Sequence, residues 1–306
     1  MRYLTFSSKD RPAEKSFGVL VEGANVIELS DVESENSLLE FIKAGSGRWR
    51  ENSEKVQSGE TEFKQHDLST VTIHAPITRP PTLRDFYAFE QHVTTAYANR
   101  GRTVPNNWYE MPVFYFCNPN STFGHDHEVP MPKYTRALDY ELEVAAVIGK
   151  PGRDIPAKDA MQHIFGFTIF NDWSARDEQR KEMSVGLGPA KGKDFASSFG
   201  PYIVTPDELE DRREGRPGVY DLEMIARVNG KEYSRGNWSS LHYSFGEMIA
   251  RASADVTLQP GDIIGSGTVG TGCLLELTKG EGPWLQIGDV VELEIERLGV
   301  LRNTVS

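Results

Sequence analysis

The stretch LDYELEVAAVIG, residues 138–149, joins an alternating half to a continuously apolar half. In the first half, apolar residues alternate with Asp139, Glu141 and Glu143, which is the period of a β-strand with two unlike faces. On such a strand the three carboxylates project from one face at intervals of about 6–7 Å. Like charges at this spacing repel one another. The stretch therefore predicts either a solvated strand face or a site where a hard divalent cation gathers the acids.

The composition is that of a globular protein. Of the 306 residues, 38% are hydrophobic and 25% are charged, which predicts a folded chain with a sizeable core. The 33 Lys and Arg residues against 45 Asp and Glu residues give a net charge of −12. This charge argues against nucleic acid as a partner, although a small anion can bind where basic side chains gather.

Cysteine content and apolar runs bear on the location of the protein. The chain has two cysteines, Cys117 and Cys273, which predicts a reducing cytoplasm rather than a disulfide scaffold. No apolar run approaches the roughly 18 residues of a membrane span, and the first residues lack the apolar core of a signal peptide. We therefore expect a cytoplasmic protein with no membrane partner.

A proline-rich segment around Pro80–Pro81 predicts a boundary between two domains. Residues 1–78 are expected to form a small N-terminal α+β domain. Its strands are predicted at SFGVLVEG (16–23) and NVIELS (25–30), and a helix is predicted to run from Ser37 to about residue 57.

Residues 79–306 are expected to form a larger, mainly β domain, because short apolar runs are cut by Gly and Pro. The clearest strand candidates are GPYIVT (200–205), YDLEMIARVNGKEY (220–233), GDIIGSGT (261–268), CLLELT (273–278) and GDVVELEIERLG (288–299). The Asn-Gly pair in the second of these predicts a hairpin. Helices are predicted at PAKDAMQHIF (156–165) and from about Phe245. The predicted fold class is therefore mainly β (α+β).

Two further segments concentrate polar groups. In FTIFNDWSARDEQR (167–180) an apolar strand ends at Asp172, and such strand ends hold functional side chains rigidly. The alternative is that Asp172 caps a helix and that the charges after it are ordinary surface groups. In LRDFYAFEQHVTTAYANRGR (83–102), Asp85 and His92 are seven residues apart and would share a face if the segment were helical. A lone histidine is more often structural, but one beside several acids is a candidate base.

These segments carry a family resemblance. RDFYAFEQH (84–92), DYELEVAAVIGK (139–150), NDWSARDEQ (171–179), GPAKGKDFASSFGP (188–201) and GSGTVGTGCLLEL (265–277) resemble motifs of the fumarylacetoacetate hydrolase superfamily in order and spacing. The resemblance covers about residues 78–297. It implies a mixed β-sandwich roll after a small N-terminal domain, a homodimer, and metal-dependent cleavage or rearrangement of β-diketo and α-keto acids.

The resemblance also implies a metal site. The family's ligands match Asp85, Glu141, Glu143 and Asp172, whereas Asp139 has no ligand role in the pattern. Four carboxylates favour a hard cation, so we expect Mg²⁺, with Mn²⁺ or Ca²⁺ as substitutes. The triplet HDH (125–127) also has metal-binding residue types, but it lies in a Gly/Pro/Asn-rich stretch without a family match.

Catalytic roles follow from the same resemblance. His92 matches a base that takes a proton from water, and Glu276 matches the carboxylate that orients its imidazole. The groups that stabilise developing negative charge match Arg176, Gln179 and Lys193. The positions that contact substrate match Tyr87, Tyr115, Gln179 and Thr268.

Each of these residues has a structural alternative. Lys193 could be a surface lysine and Glu276 a residue on a strand face. Thr268 could be an ordinary turn residue, and Tyr115 could be part of the hydrophobic core. A substrate-binding arginine is expected after the base, and both Arg100 and Arg102 lie near that place. Met183 stands where fumarylacetoacetase has a substrate-binding tyrosine.

The expected activity is a metal-dependent hydrolase that cleaves a C–C bond in an anionic diketo acid of the fumarylacetoacetate or acylpyruvate type. Such an enzyme would serve aromatic amino acid catabolism. The alternatives are a lyase of the same family, either an oxaloacetate decarboxylase or a 2-hydroxy-dienoate hydratase, and a non-catalytic relative that binds metal or ligand.

Overall fold

The computed structural model describes residues 1–21, 24–30, 35–59 and 62–306. The strands in these ranges are β1 Arg2–Ser8, β2 Lys15–Val21, β3 Asn25–Glu28, β4 Gln65–Asp67, β5 Val71–Ile73, β6 Leu83–Phe86, β7 Phe114–Phe116, β8 Thr122–Phe123, β9 Glu128–Val129, β10 Leu138–Asp139, β11 Leu142–Ile148, β12 Ile164–Asp172, β13 Ser174–Ala175, β14 Ser197–Val204, β15 Glu223–Val228, β16 Lys231–Asn237, β17 Ile263–Gly265, β18 Val290–Ile295 and β19 Gly299–Val305.

The helices in the described ranges are fewer than the strands. The α-helices are α1 Leu38–Ala44, α2 Ser46–Ser58, α3 Glu90–Ala98, α4 Asn106–Glu110, α5 Arg176–Ser184, α6 Phe245–Ser253 and α7 Leu274–Leu277. Four 3₁₀ segments lie at Leu68–Thr70, Ala157–His163, Pro206–Arg212 and Trp238–Ser240. None of the helices in the described ranges is long and apolar enough to cross a membrane.

A large mixed sheet forms the centre of the molecule, in the order β4-β3-β2-β1-β14-β12-β11-β17-β6-β7. Strand β5 adds to β1, and β8 adds to β14. The central strands β11 and β12 are buried along their whole length, because their apolar side chains are covered on both faces. They pair antiparallel with Leu142 opposite Asn171, so the start of β11 lies beside the end of β12.

A second sheet packs on the first, in the order β16-β15-β18-β19-β9. The core between the sheets contains fully buried aromatic rings. The ring of Trp238 lies 4.9 Å from those of Phe167 and Tyr220, and Phe245 completes the group. The two packed sheets agree with the predicted mainly β (α+β) fold class.

The N-terminal segment shares the large sheet with the rest of the chain. Strand β1 pairs antiparallel with β14, with Tyr3 opposite Ile203. The Tyr3 ring also packs 5.4 Å from Phe41 of α1 and 5.2 Å from Phe165 of β12. The predicted boundary at residue 78 is therefore crossed by strand pairing, and the division into domains 1–78 and 79–306 stays a prediction.

Several predicted elements are confirmed. Asn229 and Gly230, with φ of +52° and +74°, turn the hairpin between β15 and β16. Helix α6 starts at Phe245, where Ser244 and Glu247 form a reciprocal capping box. The first predicted strand is β2, although its last two residues, Glu22 and Gly23, lie outside the described residues.

Other predicted elements differ. The single helix after Ser37 is two helices, α1 and α2, because Gly45 lies between them at φ +90°. The segment 156–165 holds a 3₁₀ helix rather than an α-helix. The segment CLLELT is helix α7 rather than a strand, because the backbone N–H groups of Leu274 and Leu275 donate to the buried Asp139 carboxylate at 2.8 and 3.0 Å.

Replacing Trp238 by alanine should destabilise the fold strongly, because the change leaves a cavity among buried rings and removes the indole bond to the Gly218 carbonyl. We expect the free energy of unfolding, measured in urea, to fall by about 3–5 kcal/mol. As a control, Ile287→Ala removes a side chain that is 70% exposed and should cost less than about 0.5 kcal/mol. Equal losses in the two variants would contradict this account of the core.

Candidate active site

Four carboxylates converge across neighbouring strands of the large sheet, and we call them the carboxylate cluster: Asp85 in β6, Glu143 in β11, Asp172 at the end of β12, and Glu141 directly before β11. Each offers an oxygen within 4.8 Å of the others. All four side chains are buried. The solvated strand face considered for the acids of residues 139–143 is therefore wrong.

The alternating stretch is not one continuous strand. Strand β10 ends at Asp139, β11 begins at Leu142, and β10 pairs with β13 whereas β11 pairs with β12. This break separates the three acids. Asp139 lies outside the carboxylate cluster, where its oxygens accept from Arg176 Nε at 2.8 Å and from the start of α7.

The sequence segment before α3 also differs from the helical alternative. Asp85 lies in β6, and His92 lies in the first turn of α3, so they do not share a helix face. Asp172 ends β12 and does not cap α5, which begins at Arg176 after Ala175. Strand ends and a helix start thus place these side chains, as expected of a rigid site.

The carboxylate cluster fits a hard divalent cation. Asp172 Oδ1 is buried and has no hydrogen-bond partner among the described residues. Burial and the neighbouring Asp172 charge raise the pKa of Asp85 to about 7, and burial raises that of Asp172 to about 6. Burial and the Asp85 charge raise the pKa of Glu143 well above its usual value. A cation removes this repulsion, and an all-oxygen donor set suits Mg²⁺ or Mn²⁺.

Lys193 supplies positive charge directly beside the carboxylate cluster. Its Nζ donates to Glu141 and, at 2.5 Å, to Asp172. The side chain is buried, so the surface-lysine alternative is wrong. Burial opposes its charged form, but Asp172 and Glu141 raise the pKa of Lys193 above its usual value. Burial likewise opposes ionisation of Glu141, yet Lys193 and Arg176 hold its pKa below the usual range.

Arg176 joins the carboxylate cluster to the surrounding structure. Its guanidinium donates to Asp139 and Glu141, each at 2.8 Å, and to the Gln179 side-chain oxygen at 3.2 Å. Arg176 and Gln179 both lie on α5. The structure therefore brings both residues to the cluster, and their contact with substrate stays a prediction.

His92 and Glu276 form a buried pair, which we call the dyad. The imidazole Nδ1 bonds Glu276 Oε1, while Glu276 Oε2 accepts from the backbone N–H of Thr271 at 3.1 Å. Because the carboxylate accepts at Nδ1, the neutral ring carries its proton there and leaves Nε2 as the basic nitrogen. Glu276 lies on helix α7, so the strand-face alternative for this residue is wrong.

A cavity of about 250 Å³ connects these groups. Its wall contains His92, Lys193, three members of the carboxylate cluster, Arg176 and Gln179 of α5, and the substrate-contact candidates Tyr87, Tyr115 and Thr268. The Tyr115 hydroxyl donates to Asp85 at 3.1 Å and to Asp172, and the Thr268 hydroxyl donates to Glu143 at 3.3 Å. Arg100 lines the cavity, which favours it over Arg102 as the substrate-binding arginine. Met183 lines it as well.

The HDH triplet lies outside this site. Asp126 pairs with Arg302 at 2.5 and 2.9 Å, and the His127 ring packs against His74. Neither of the two groups of potential metal ligands found among the described residues includes the triplet.

Two residues that sequence reasoning did not single out lie next to site residues. The Glu182 carboxylate accepts backbone N–H bonds from Ala190 at 3.0 Å, Lys191 at 2.5 Å and Gly192 at 3.0 Å, directly before Lys193. The Cys273 thiol lies 3.7 Å from Glu276 of the dyad. Only Cys273 could have been found from the sequence, because it lies three residues before Glu276.

Comparisons with known proteins agree with this geometry. Oxaloacetate tautomerase fahd2 of Xenopus laevis is 30% identical over 100% of this chain and 90% of its own length. Oxaloacetate tautomerase YisK of Bacillus subtilis is 30% identical over 94% of this chain and 95% of its own. A fumarylacetoacetate hydrolase structure from Exiguobacterium antarcticum superimposes with a TM-score of 0.77 at 26% identity, covering 100% of this chain and 99% of that one.

A family model gives the same result. The model for the C-terminal domain of fumarylacetoacetate (FAA) hydrolase matches residues 82–306, which include every member of the carboxylate cluster and the dyad. The 5-carboxymethyl-2-hydroxymuconate delta-isomerase of Mycobacterium smegmatis superimposes with a TM-score of 0.70 at 28% identity, over 100% of this chain and 99% of that one. The chain therefore belongs to the fumarylacetoacetate hydrolase family.

Proposed function

We propose that this protein is a metal-dependent enzyme that interconverts the keto and enol forms of a small 2-oxo dicarboxylic acid, with oxaloacetate as the leading substrate. The observation that carries the proposal is that His92, backed by Glu276, lines the same cavity as three members of the carboxylate cluster. Support for oxaloacetate comes from relatives that match nearly the whole chain and are named oxaloacetate tautomerases.

The carboxylate cluster would hold the cation, and we propose Mg²⁺, with Mn²⁺ or Ca²⁺ as substitutes. A bound divalent cation supplies positive charge that polarises the 2-oxo group and acidifies the neighbouring C–H bond. Lys193 adds a fixed ammonium charge beside the same carboxylates. Together these charges suit a substrate that becomes more negative as the proton leaves.

The dyad would move the proton. Nε2 of His92 takes the proton from C3 in the keto-to-enol direction and returns it to C3 in the reverse direction. Glu276 holds the ring in the tautomer with a free Nε2 and stabilises the imidazolium that forms, as a carboxylate does for a catalytic histidine. Thr271 fixes the other Glu276 oxygen.

Basic and polar side chains on the cavity wall explain how an acidic protein could bind an anionic substrate. Arg100 would pair with a substrate carboxylate, and Arg176 and Gln179 would donate to developing negative charge. Tyr87 and Thr268 would contact the substrate from the other elements that line the cavity. Assembly as a homodimer stays a prediction from the family resemblance.

Hydrolysis of a C–C bond in a β-diketo acid is the second candidate, of the fumarylacetoacetate or acylpyruvate type. The same dyad could take a proton from an attacking water rather than from carbon. The wall side chains Tyr97, Val113 and Met183 leave an apolar region that could hold the acyl group of such a substrate. A lyase reaction, such as oxaloacetate decarboxylation, would use the cation without this water.

Three substrates separate these functions. The purified protein with Mg²⁺ would be incubated with oxaloacetate, with an acylpyruvate and with fumarylacetoacetate. Tautomerisation predicts faster decay of the enol absorbance and solvent deuterium at C3 of oxaloacetate, without loss of carbon. Carboxylate products from the diketo acids would favour hydrolysis, and CO₂ from oxaloacetate would favour the lyase. An absence of all three activities with Mg²⁺ or Mn²⁺ would reject the proposal.

Replacing His92 by alanine should lower the tautomerisation rate by about 10²–10⁴-fold, which is the usual contribution of a positioned general base. The Glu276→Gln variant should lose less, because the imidazole remains but its charged form is less well stabilised. Stopped-flow absorbance measures the rate, and calorimetry checks that Mg²⁺ still binds. A His92→Ala enzyme that retains nearly the full rate would remove this residue from the mechanism.

Mg²⁺ should stabilise the protein more at about pH 8 than at about pH 6. Free carboxyls titrate near pH 4, whereas the pKa values of Asp85 and Asp172 are raised to about 7 and 6. The stability that protonation gives these groups is therefore complete below about pH 4 and is lost as pH rises through 6 to 7. A cation needs the deprotonated carboxylates, so protons compete with it less at the higher pH.

Calorimetry with and without Mg²⁺ measures this effect, which reaches about 2.7 kcal/mol when the free ion is at 100 times its Kd. EDTA should abolish activity, and Mg²⁺ or Mn²⁺ should restore it. The Glu141→Ala, Glu143→Ala double variant serves as the control, and Mg²⁺ should not stabilise it. Equal stabilisation by Mg²⁺ at both pH values would contradict the assignment of the carboxylate cluster as the Mg²⁺ site.

Glu182 should act as a positioning residue for Lys193, because its carboxylate fixes the three backbone N–H groups before that lysine. We expect Glu182→Gln to lower kcat/KM by about 10- to 100-fold, the scale of a displaced catalytic group. In a Lys193→Ala background the same change should have almost no further effect. Glu178→Gln, on the same helix, is the matched control. Additive losses in the double variant would refute the link.

A further inference from the structure

We propose that His92, Cys273 and Glu276 form a second metal site, which takes a thiophilic ion such as Zn²⁺ and thereby inhibits the enzyme. The three residues offer a ring nitrogen, a sulfur and a carboxylate oxygen within 4.8 Å of one another. We call them the thiol site. It is distinct from the carboxylate cluster and shares no ligand with it.

Helix α7 places two of the three ligands. Cys273 is the N-cap residue directly before α7, and Glu276 is the third residue of this short helix, so the two side chains lie close together. The thiol lies 3.7 Å from Glu276 Oε1, and the same oxygen bonds Nδ1 of His92. All three side chains are buried, and no role in the proposed reaction requires the thiol.

The donor atoms decide which ion can bind. Nitrogen and sulfur are ligands for Zn²⁺, which binds at about 2.0–2.3 Å in tetrahedral geometry and commonly keeps a water in its fourth position. Mg²⁺ prefers six oxygens, so it favours the carboxylate cluster over the thiol site. A protein saturated with Mg²⁺ would therefore still offer the thiol site to a softer ion.

Binding at this site has a defined proton balance. The ion takes Nδ1 of His92, the Glu276 carboxylate and the Cys273 thiolate, and the thiol proton is released to solvent. The proton that Nδ1 carried moves to Nε2, so the neutral ring remains neutral. Nε2 is then occupied and cannot accept a proton from substrate. The ion would thus block the base without displacing the catalytic cation.

The ion can reach the site from the cavity. His92 forms part of the cavity wall, and Cys273 lies fully buried behind it. Nδ1 and Oε1 must separate from direct contact for an ion to enter between them. A small shift of α7 against α3, which are in contact, would provide this space.

Cobalt offers a direct test of binding, because a thiolate bound to Co²⁺ gives a charge-transfer band in the near-ultraviolet. Protein saturated with Mg²⁺ would be titrated with Co²⁺. The band should appear in the wild type and in Cys117→Ser, which removes the other cysteine, and should be absent from Cys273→Ser and Cys273→Ala. A band that persists in both Cys273 variants, or is absent from the wild type, would overturn the proposal.

A second experiment tests whether an ion at the thiol site inhibits the enzyme. This test rests on the proposed function, whereas the cobalt titration does not. Each variant is compared with its own rate without Zn²⁺. The Zn²⁺ concentration for half inhibition should rise about 10-fold or more in Cys273→Ser and stay unchanged in Cys117→Ser. Excess Mg²⁺ should not relieve the inhibition. Equal sensitivity of all variants together with relief by Mg²⁺ would place Zn²⁺ at the carboxylate cluster and refute an inhibitory thiol site.

Discussion

The repulsion among four buried carboxylates is the constraint on which the rest of the site depends. Burial alone would keep most of them protonated. Two side chains of opposite charge lie beside them: Lys193 donates to Glu141 and Asp172, and Arg176 also donates to Glu141. Two cations against four anions leave a net negative charge. A divalent cation would offset this remainder, part of which persists because Arg176 also pairs with the buried Asp139. The buried carboxylates thus lower folding stability, and the same arrangement would favour the binding of a cation.

Helix α7 links the carboxylate cluster to the dyad. Its first N–H groups bind Asp139, which also holds Arg176, and its third residue is Glu276 of the dyad. A four-residue helix therefore sets both the guanidinium that contacts the carboxylate cluster and the carboxylate that orients His92. This connection holds the carboxylate cluster and the dyad in fixed relation, although distant parts of the chain carry them.

The sequence predicts the acids better than the elements that carry them. Glu141, Glu143 and Asp172 stand out because they lie beside apolar strand residues, and burying a carboxylate costs free energy unless a partner compensates its charge. The helix at CLLELT could not be predicted, because β propensity is local and the Asp139 carboxylate that stabilises this helix is more than 130 residues away in the chain. Glu182 was missed for a similar reason, since its partners are backbone groups that leave no pattern in the sequence.

The pairing of β1 with β14 has a consequence for how this chain can be divided. Strand β14 flanks β12, which carries Asp172, and β1 covers the outer edge of β14 near Ile203 and Val204. A fragment that began after the proline-rich segment would expose that edge with its unpaired backbone groups, a ready template for association with other chains. Strand β1 therefore acts as a protective border for the large sheet, and a protein shortened in this way would be expected to aggregate.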